Sequence, residues 1–222
     1  MPAAPAQETV VLLRGVAMPA FVLHRLARRL AAAGYRVINH AYPSRALTLE
    51  QLAREHLPAA LGAARAADAP RLHFVGHSMG AIVVRLHLGE HRPPNLGRVV
   101  LLGPPNAGSR VADRLARSRL CRWLVGPNLS RLGAATPDAI APHLPAPDYE
   151  TGVIAGARSI NPVFSRWLER PNDGAVSVAS ARLAGASDFL VVPHSHTLML
   201  WRAAVAAQVV AFLRTGRFAP AP

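Results

Sequence analysis

The sequence contains no lysine and only one cysteine. Because Cys121 has no partner, the chain forms no internal disulfide and its fold does not depend on an oxidising compartment. The neighbouring Trp123 and Leu124 favour a small buried hydrophobe over a nucleophile, since no Cys/His catalytic signature surrounds it. No apolar run reaches membrane-spanning length, and the start MPAAPAQET lacks the pattern of a signal peptide. We therefore expect a soluble, cytoplasmic protein.

Acidic residues are also scarce, with 12 against 25 basic residues, all arginine, for a formal net charge of +13. A field of this sign attracts polyanions and anionic membrane surfaces without sequence preference. The arginines are spread along the chain and no nucleic-acid-binding signature accompanies them, so we predict no specific nucleic-acid partner. Solvated helix faces are the favoured interpretation, and peripheral contact with an anionic membrane surface is the alternative. No obligate protein partner is inferred.

The composition is that of a globular protein, with 51% hydrophobic and 17% charged residues. This excludes a disordered chain. The 222 residues show no fixed-period repeat and no linker, so we expect one domain over residues 1–222.

Short apolar runs alternate with helical patterns through the first half of the chain. The predicted strands there are 10–13, 35–39, 72–75 and 99–102, and the helices cover 20–33, 48–67 and 79–91. Crossovers of this length are typical of parallel pairing. Strands at 152–155 and 189–192 and a helix over 198–214 follow. The pattern predicts an α/β fold, a small mostly parallel sheet with helices on both faces and its site at the carboxyl ends of the strands.

This rhythm is interrupted over residues 104–149, after the fourth predicted strand. The segment is rich in proline and glycine, shows no clear strand, and contains an arginine-rich helical piece over 110–123. A long insertion after a sheet strand is often a lid or cap over a site. We predict that role for 104–149; a passive surface excursion is the alternative.

The sequence Gly76-His77-Ser78-Met79-Gly80 joins the third predicted strand to the following helix. A GxSxG motif in this setting is typical of a nucleophile elbow, in which the glycines permit a sharp turn and the helix N-terminus favours negative charge. The alternative for Ser78 is an ordinary helix N-cap. His77 points elsewhere on such a turn, so we expect it to pack or support rather than act as base.

An acid and a base are then expected in the chain order Ser, Asp, His. Asp173 lies in an Asn-Asp-Gly turn, which would also form a loop without any catalytic role. Other carboxylates fit worse, because Asp188 enters the last strand from its far end and Asp138 and Asp148 lie in the insertion. Past that strand, His194-Ser195-His196 offers two histidines, and the residues alone do not choose between them.

The sequence resembles bacterial lipases and esterases of the α/β-hydrolase superfamily over nearly its whole length. The matching pieces are LLRG, GHSMG, VVLLGPPNAGS, NDGAVSV and SHTLM. The resemblance implies the α/β-hydrolase fold and a serine carboxylic-ester hydrolase that cleaves apolar acyl esters through an acyl-enzyme on Ser78. It favours His196 over His194 as base and implies an oxyanion hole formed by the amides of Met79 and Val16. Arg14 departs from the His-Gly usual in such proteins and leaves the conformation of that loop open.

No cofactor is required for this chemistry, and no metal is expected because the histidines do not stand at ligand spacings. Two alternatives stay open. One is a thioesterase or acyltransferase with the same three residues, in which the positive charge meets an anionic carrier. The other is a catalytically idle hydrolase-fold binding module.

Overall fold

The structure, a computed structural model, describes residues 7–220, so the first six residues of MPAAPAQET lie outside it. Within this range six strands form one sheet in the order β2-β1-β3-β4-β5-β6, and every neighbouring pair is parallel. The strands are β1 (Thr9–Leu13), β2 (Arg36–His40), β3 (Leu72–His77), β4 (Leu96–Leu102), β5 (Thr151–Gly156) and β6 (Asp188–Val192).

Helices connect these strands. The α-helices are α1 (His24–Ala32), α2 (Leu49–Gln51), α3 (Leu57–Ala63), α4 (Met79–Glu90), α5 (Arg110–Ala116), α6 (Arg119–Val125), α7 (Asn128–Arg131), α8 (Pro162–Ser165), α9 (Val178–Ala181) and α10 (Ala203–Thr215). Short 3-10 turns cover Ala20–Leu23, Ala66–Asp68, Ala141–His143 and Leu198–Trp201, and a π turn covers Leu52–His56. No helix within residues 7–220 is both long and apolar enough to cross a bilayer.

The sheet separates two apolar cores, as the alternation of side chains along β1 shows. Val11 and Leu13 pack into the core that includes α3 and α4, whereas Val10 and Leu12 pack into the core that includes α1 and α10. Neighbouring side chains of a strand point to opposite faces, so a strand buried on both sides is apolar throughout. Each such fully buried side chain stabilises the fold by roughly 1.5–3 kcal/mol. The fold class predicted from the sequence is confirmed.

The helix predicted over 48–67 begins as expected but is interrupted. Thr48 forms a capping box with Gln51. The Leu57 amide donates to the carbonyl of Leu52, five residues back, which is the π pattern. Pro58 follows directly and has no amide to donate, so the regular ladder cannot continue through this point. The predicted helix is therefore present over residues 49–63 with a π turn inside it, and it ends a few residues earlier than expected.

Buried histidines make stability depend on pH. Burial lowers the pKa of His73, His77 and His87, and burial together with His56 lowers the pKa of His40 to about 4. The unfolded chain binds these protons near pH 6.5 and the folded chain does not, so folded stability is complete above pH 6.5 and falls as the pH drops below it. His40 alone should cost about 2 kcal/mol at pH 5. Urea unfolding between pH 7.5 and 5 measures this; a free energy of unfolding that stays constant or rises would contradict it.

Candidate active site

Ser78 occupies a strained turn between β3 and α4. Its backbone angles are φ 54° and ψ −122°, a region that residues other than glycine rarely adopt. A Cβ on Gly80 would lie 2.4 Å from the carbonyl oxygen of Leu13, and one on Gly76 would lie 2.6 Å from Cα of Ala81. Both glycines of GHSMG are therefore required by close backbone approach, and this approach brings the end of β1 against the turn.

Asp173 and His196 form a buried pair beside this turn. The Asp173 Oδ2 atom lies 2.7 Å from Nδ1 of His196, and only 1% of the aspartate side chain is exposed. Its Oδ1 atom accepts the amides of Ala175 at 2.9 Å and Val176 at 2.7 Å. The His196 amide in turn donates to the Asp173 carbonyl at 3.0 Å. This network assigns the ring proton to Nδ1 and leaves Nε2 free to accept a proton.

The structure brings Ser78 and His196 to one cavity of about 280 Å³. Among residues 7–220 no hydrogen bond joins the serine hydroxyl to the histidine ring. Such contacts are commonly long until substrate binds, so the two side chains remain candidates for a proton-transfer pair. The ring of His194 is not paired with Asp173.

The insertion supplies much of the cavity wall. Its contributions are Val111, Ala112, Leu115, Val125, Leu129 and Leu132. These residues lie on or next to α5, α6 and α7. The arginine-rich piece predicted over 110–123 is two helices, because Ser118 caps the start of α6. Asn128 anchors the insertion, with its amide nitrogen 2.8 Å from the carbonyl of Leu47.

Larger concavities lie away from Ser78. One of about 550 Å³ lies next to α3 and the end of α4, with His87 and His91 in its lining. Another of about 750 Å³ is lined by Arg158, Arg166 and Arg170. Neither contains Ser78 or His196, so the smaller apolar cavity is the one associated with the reactive groups.

Two backbone amides near Ser78 are candidates for an oxyanion hole. Met79 is the first residue of α4, where the amide has no helical acceptor. Val16 lies on the loop after β1 and lines the cavity. Neither amide has an acceptor among the described residues. A helix N-terminus favours negative charge, so the surroundings of these donors suit an anionic intermediate.

Arg14 holds the loop that carries Val16. Its Nε donates to the Met18 carbonyl at 2.5 Å, and another guanidinium nitrogen donates to the Tyr42 carbonyl at 2.5 Å. The guanidinium also lies 4.5 Å from the centre of the Tyr42 ring, while the Tyr42 hydroxyl donates to the Arg14 carbonyl. Ser44 accepts the Ala17 amide at 3.1 Å. The arginine that departs from the usual His-Gly thus fixes the loop from within.

Arg14→Lys should lower kcat/KM for an ester substrate by about 10- to 100-fold, because an ammonium lacks the planar fork that spans both carbonyls and stacks on Tyr42. The matched control is Arg36→Lys, since Arg36 is exposed and bonds the surface carbonyl of Ala64. Initial rates with p-nitrophenyl butyrate and thermal unfolding measure both variants. Wild-type activity in a folded Arg14→Lys protein would show that the loop keeps its shape without the guanidinium.

His77 supports the histidine loop from below. Its ring is fully buried, and Nε2 donates to the backbone carbonyl of His196 at 3.0 Å. The two rings lie 4.6 Å apart between centroids. Burial lowers the pKa of His77 well below its usual value, so it stays neutral and is a poor base. This geometry agrees with the packing role expected for it.

A polar scaffold that the sequence analysis did not predict lies under the segment PPNAGS. Arg85 on α4 is buried and donates to Asn106 at 3.0 Å, and Asn106 donates to the Ala181 carbonyl at 2.8 Å. The Ser109 hydroxyl donates to the Ala175 carbonyl at 2.6 Å. These bonds connect α4, through the PPNAGS segment, to α9 and to the turn that carries Asp173. The available signal was an arginine within the apolar helix run AIVVRLHL.

The described residues contain no cluster of three or more His, Cys, Asp or Glu side chains that could hold a metal ion. No protein-family model matches the sequence. A search of curated proteins finds no match.

The architecture is that of the α/β-hydrolase fold, as solved structures show. Bacillus licheniformis lipase BlEst2 in mature form has a TM-score of 0.71 and 19% identity, covering 96% of this chain and 93% of its own. Phospholipase PlaB from Legionella pneumophila has a TM-score of 0.72 and 17% identity, and the match covers 95% of this chain and 60% of PlaB. Aspergillus fumigatus lipase B has a TM-score of 0.68 and 18% identity, and the match covers 94% of this chain and 52% of the lipase. At these identities the likeness establishes the fold, and the chain spans only part of the two longer proteins.

Proposed function

We propose that the protein is a serine carboxylic-ester hydrolase that cleaves apolar acyl esters through an acyl-enzyme on Ser78. The observation that carries this proposal is the position of Ser78, on its strained turn, at the same apolar cavity as the His196 ring that Asp173 holds. A serine hydroxyl becomes a useful nucleophile only when a base takes its proton and donors receive the oxyanion. Both requirements have candidates at this cavity.

In the proposed mechanism His196 Nε2 accepts the hydroxyl proton while Ser78 Oγ attacks the acyl carbonyl. The amides of Met79 and Val16 stabilise the oxyanion of the tetrahedral intermediate. Its collapse breaks the ester bond, and the imidazolium of His196 returns the proton to the departing alcohol. Water, activated by the same ring, then attacks the acyl-enzyme and releases the acid. Asp173 keeps the ring in the required tautomer and stabilises its positive charge.

The acyl group is proposed to occupy the 280 Å³ cavity, whose wall includes Leu115, Leu129 and Phe164. Burial of an apolar chain there is favourable in proportion to the area removed from water. Residues 104–149 then act as a cap over the acyl group, within a single domain. This assignment fits an insertion whose helices face the cavity and are tied to the body through Asn128.

Hydrolysis of p-nitrophenyl esters from acetate to palmitate tests the proposal, with acyl thioesters of matched chain length beside them. We expect turnover of the oxyesters, with an optimum chain length that reports the cavity depth. A fluorophosphonate probe should label Ser78 in the folded protein, as peptide mapping would show. Faster thioester turnover would change the substrate class, while absence of both labelling and turnover would favour a binding module.

A further inference from the structure

Large apolar side chains are exposed in the segments that follow β1, β4 and β5. Those with exposed fractions between 46% and 74% are Phe21, Leu120, Trp123, Leu124, Ile160 and Val163. Phe21 lies in the segment after β1, the next three lie on α6 after β4, and the last two lie after β5. The carboxyl ends of parallel strands meet at one edge of a sheet, so these segments share one side of the molecule. We call this side the carboxyl face.

Helix α6 is an exposed part of the carboxyl face, since none of its residues is buried. Leu120, Trp123 and Leu124 stand at spacings of three and four, which places them together on one side of the helix. Val125 at its end lines the Ser78 cavity. Exposed apolar clusters of this kind, rimmed by polar residues, are typical of protein or membrane contact sites.

Arginines without acidic partners border the same apolar residues. Arg158, Arg166 and Arg170 line the 750 Å³ concavity, which has no Asp or Glu in its lining. Arg117 and Arg119, next to Leu120, are exposed. None of these five arginines forms an ion pair within residues 7–220.

Carboxylates neutralise arginines more often elsewhere on the molecule. Three surface pairs are Arg54–Glu90 at 2.7 Å, Arg65–Asp68 at 2.7 Å and Arg98–Glu150 at 3.0 Å. On the carboxyl face the described pairs are Arg110–Glu169, at the long distance of 3.8 Å, and Arg131–Glu50. Part of the net charge of +13 therefore lies on unpaired arginines beside the exposed apolar side chains.

We propose that the carboxyl face docks on an anionic lipid surface. The apolar side chains of α6 and of the 160–163 segment enter the lipid, and the unpaired arginines bind the headgroup phosphates. Guanidinium groups suit phosphate oxygens, and basic residues beside Trp and Leu are typical of helices that lie in the membrane interface. The docking is independent of catalysis; its consequence, that the Ser78 cavity opens toward lipid esters, rests on the proposed function.

The test is co-sedimentation of the full chain with lipid vesicles, and the chain carries Ser78→Ala so that the vesicles are not hydrolysed. One set of vesicles is phosphatidylcholine alone. The other contains about 30% phosphatidylglycerol, which gives the vesicle surface a negative potential. We expect binding to the anionic vesicles that falls as salt rises. The triple variant Arg158→Gln, Arg166→Gln, Arg170→Gln should weaken partitioning by about 100-fold.

The matched control removes the same charge from other surfaces, with Arg36→Gln, Arg65→Gln and Arg71→Gln. Equal weakening by both triple variants would show that only net charge matters and would overturn the proposal. Equal binding to neutral vesicles would overturn it as well. So would binding to soluble polyglutamate that competes with the vesicles, because the face would then fit an acidic protein.

Trp123 gives a readout of orientation. Its fluorescence should shift to the blue when anionic vesicles are added, and Trp123→Phe should abolish that shift while binding persists. Binding without any contribution of Trp123 to the shift would show that another face meets the lipid. Fluorophosphonate labelling of the wild type reports the Ser78 chemistry separately, so the failure of one proposal is distinguishable from the failure of the other.

Discussion

Ser78→Ala should lower kcat for p-nitrophenyl butyrate by about 10⁴-fold or more. The substitution removes the only atom proposed to bond the acyl group, while the cavity and the amides of Met79 and Val16 stay in place. Alanine has the same aversion to positive φ as serine, so the strained turn is neither relieved nor worsened. Thermal unfolding should therefore match that of the wild type, and fluorophosphonate labelling should disappear.

Ser195→Ala is the matched control for this experiment. Ser195 lies next to His196, is 5% exposed, and its buried hydroxyl has no hydrogen-bond partner among the described residues. Removing an unsatisfied hydroxyl is expected to be neutral or mildly stabilising. The control should keep activity near the wild-type level. A loss below tenfold in Ser78→Ala, or an equal loss in both variants, would refute Ser78 as the nucleophile.

The sheet was predictable because its central strands are largely apolar on both faces, but the ends of the strands were not. The fourth strand was predicted over 99–102, whereas β4 begins at Leu96. Gly97 and Arg98 conceal its start, since glycine and a charged residue are uncommon in a buried strand. The reason lies in the neighbouring strand: a Cβ on Gly97 would come 2.6 Å from the His73 ring, which only the assembled sheet reveals.

The candidate site was also predictable from the sequence only in part. Motif and chain order were enough to single out Ser78 and Asp173, but the residues alone left His194 and His196 open. The structure places His196 against the carboxylate because its amide also bonds the Asp173 carbonyl, while the His194 amide turns back to Val192 at 2.8 Å. Such contacts join residues far apart in sequence, and no local pattern encodes them.

Arg14 illustrates the same limit more sharply. Its departure from the usual residue was visible in the sequence, but its partner Tyr42 is 28 positions away and belongs to another loop. The cavity wall was equally hidden, because Leu115 and Leu129 are apolar helix residues that would suit an ordinary core equally well. Whether an apolar stripe faces a core or an acyl cavity depends on what packs opposite it.

Asp173→Asn should lower kcat by about 10⁴-fold while leaving the volume of the side chain unchanged. The structure explains why asparagine cannot substitute here. Oδ1 accepts the amides of Ala175 and Val176, and this position must remain an oxygen. The new amide group is then forced toward Nδ1 of His196, where it donates instead of accepting. The ring must carry its proton on Nε2, which removes the acceptor that Ser78 requires.

Asp188→Asn is the control, because Asp188 starts β6 and uses its carboxylate to accept the amides of Phe189 and Phe218 at 2.8 Å each. It should lose stability but keep its kcat. The rate of fluorophosphonate labelling separates the two cases, since it depends on Ser78 activation and not on substrate binding. Slow labelling in folded Asp173→Asn and normal labelling in Asp188→Asn are expected. Normal labelling in both would mean that His196 is oriented without the carboxylate, and the role proposed for Asp173 would fail.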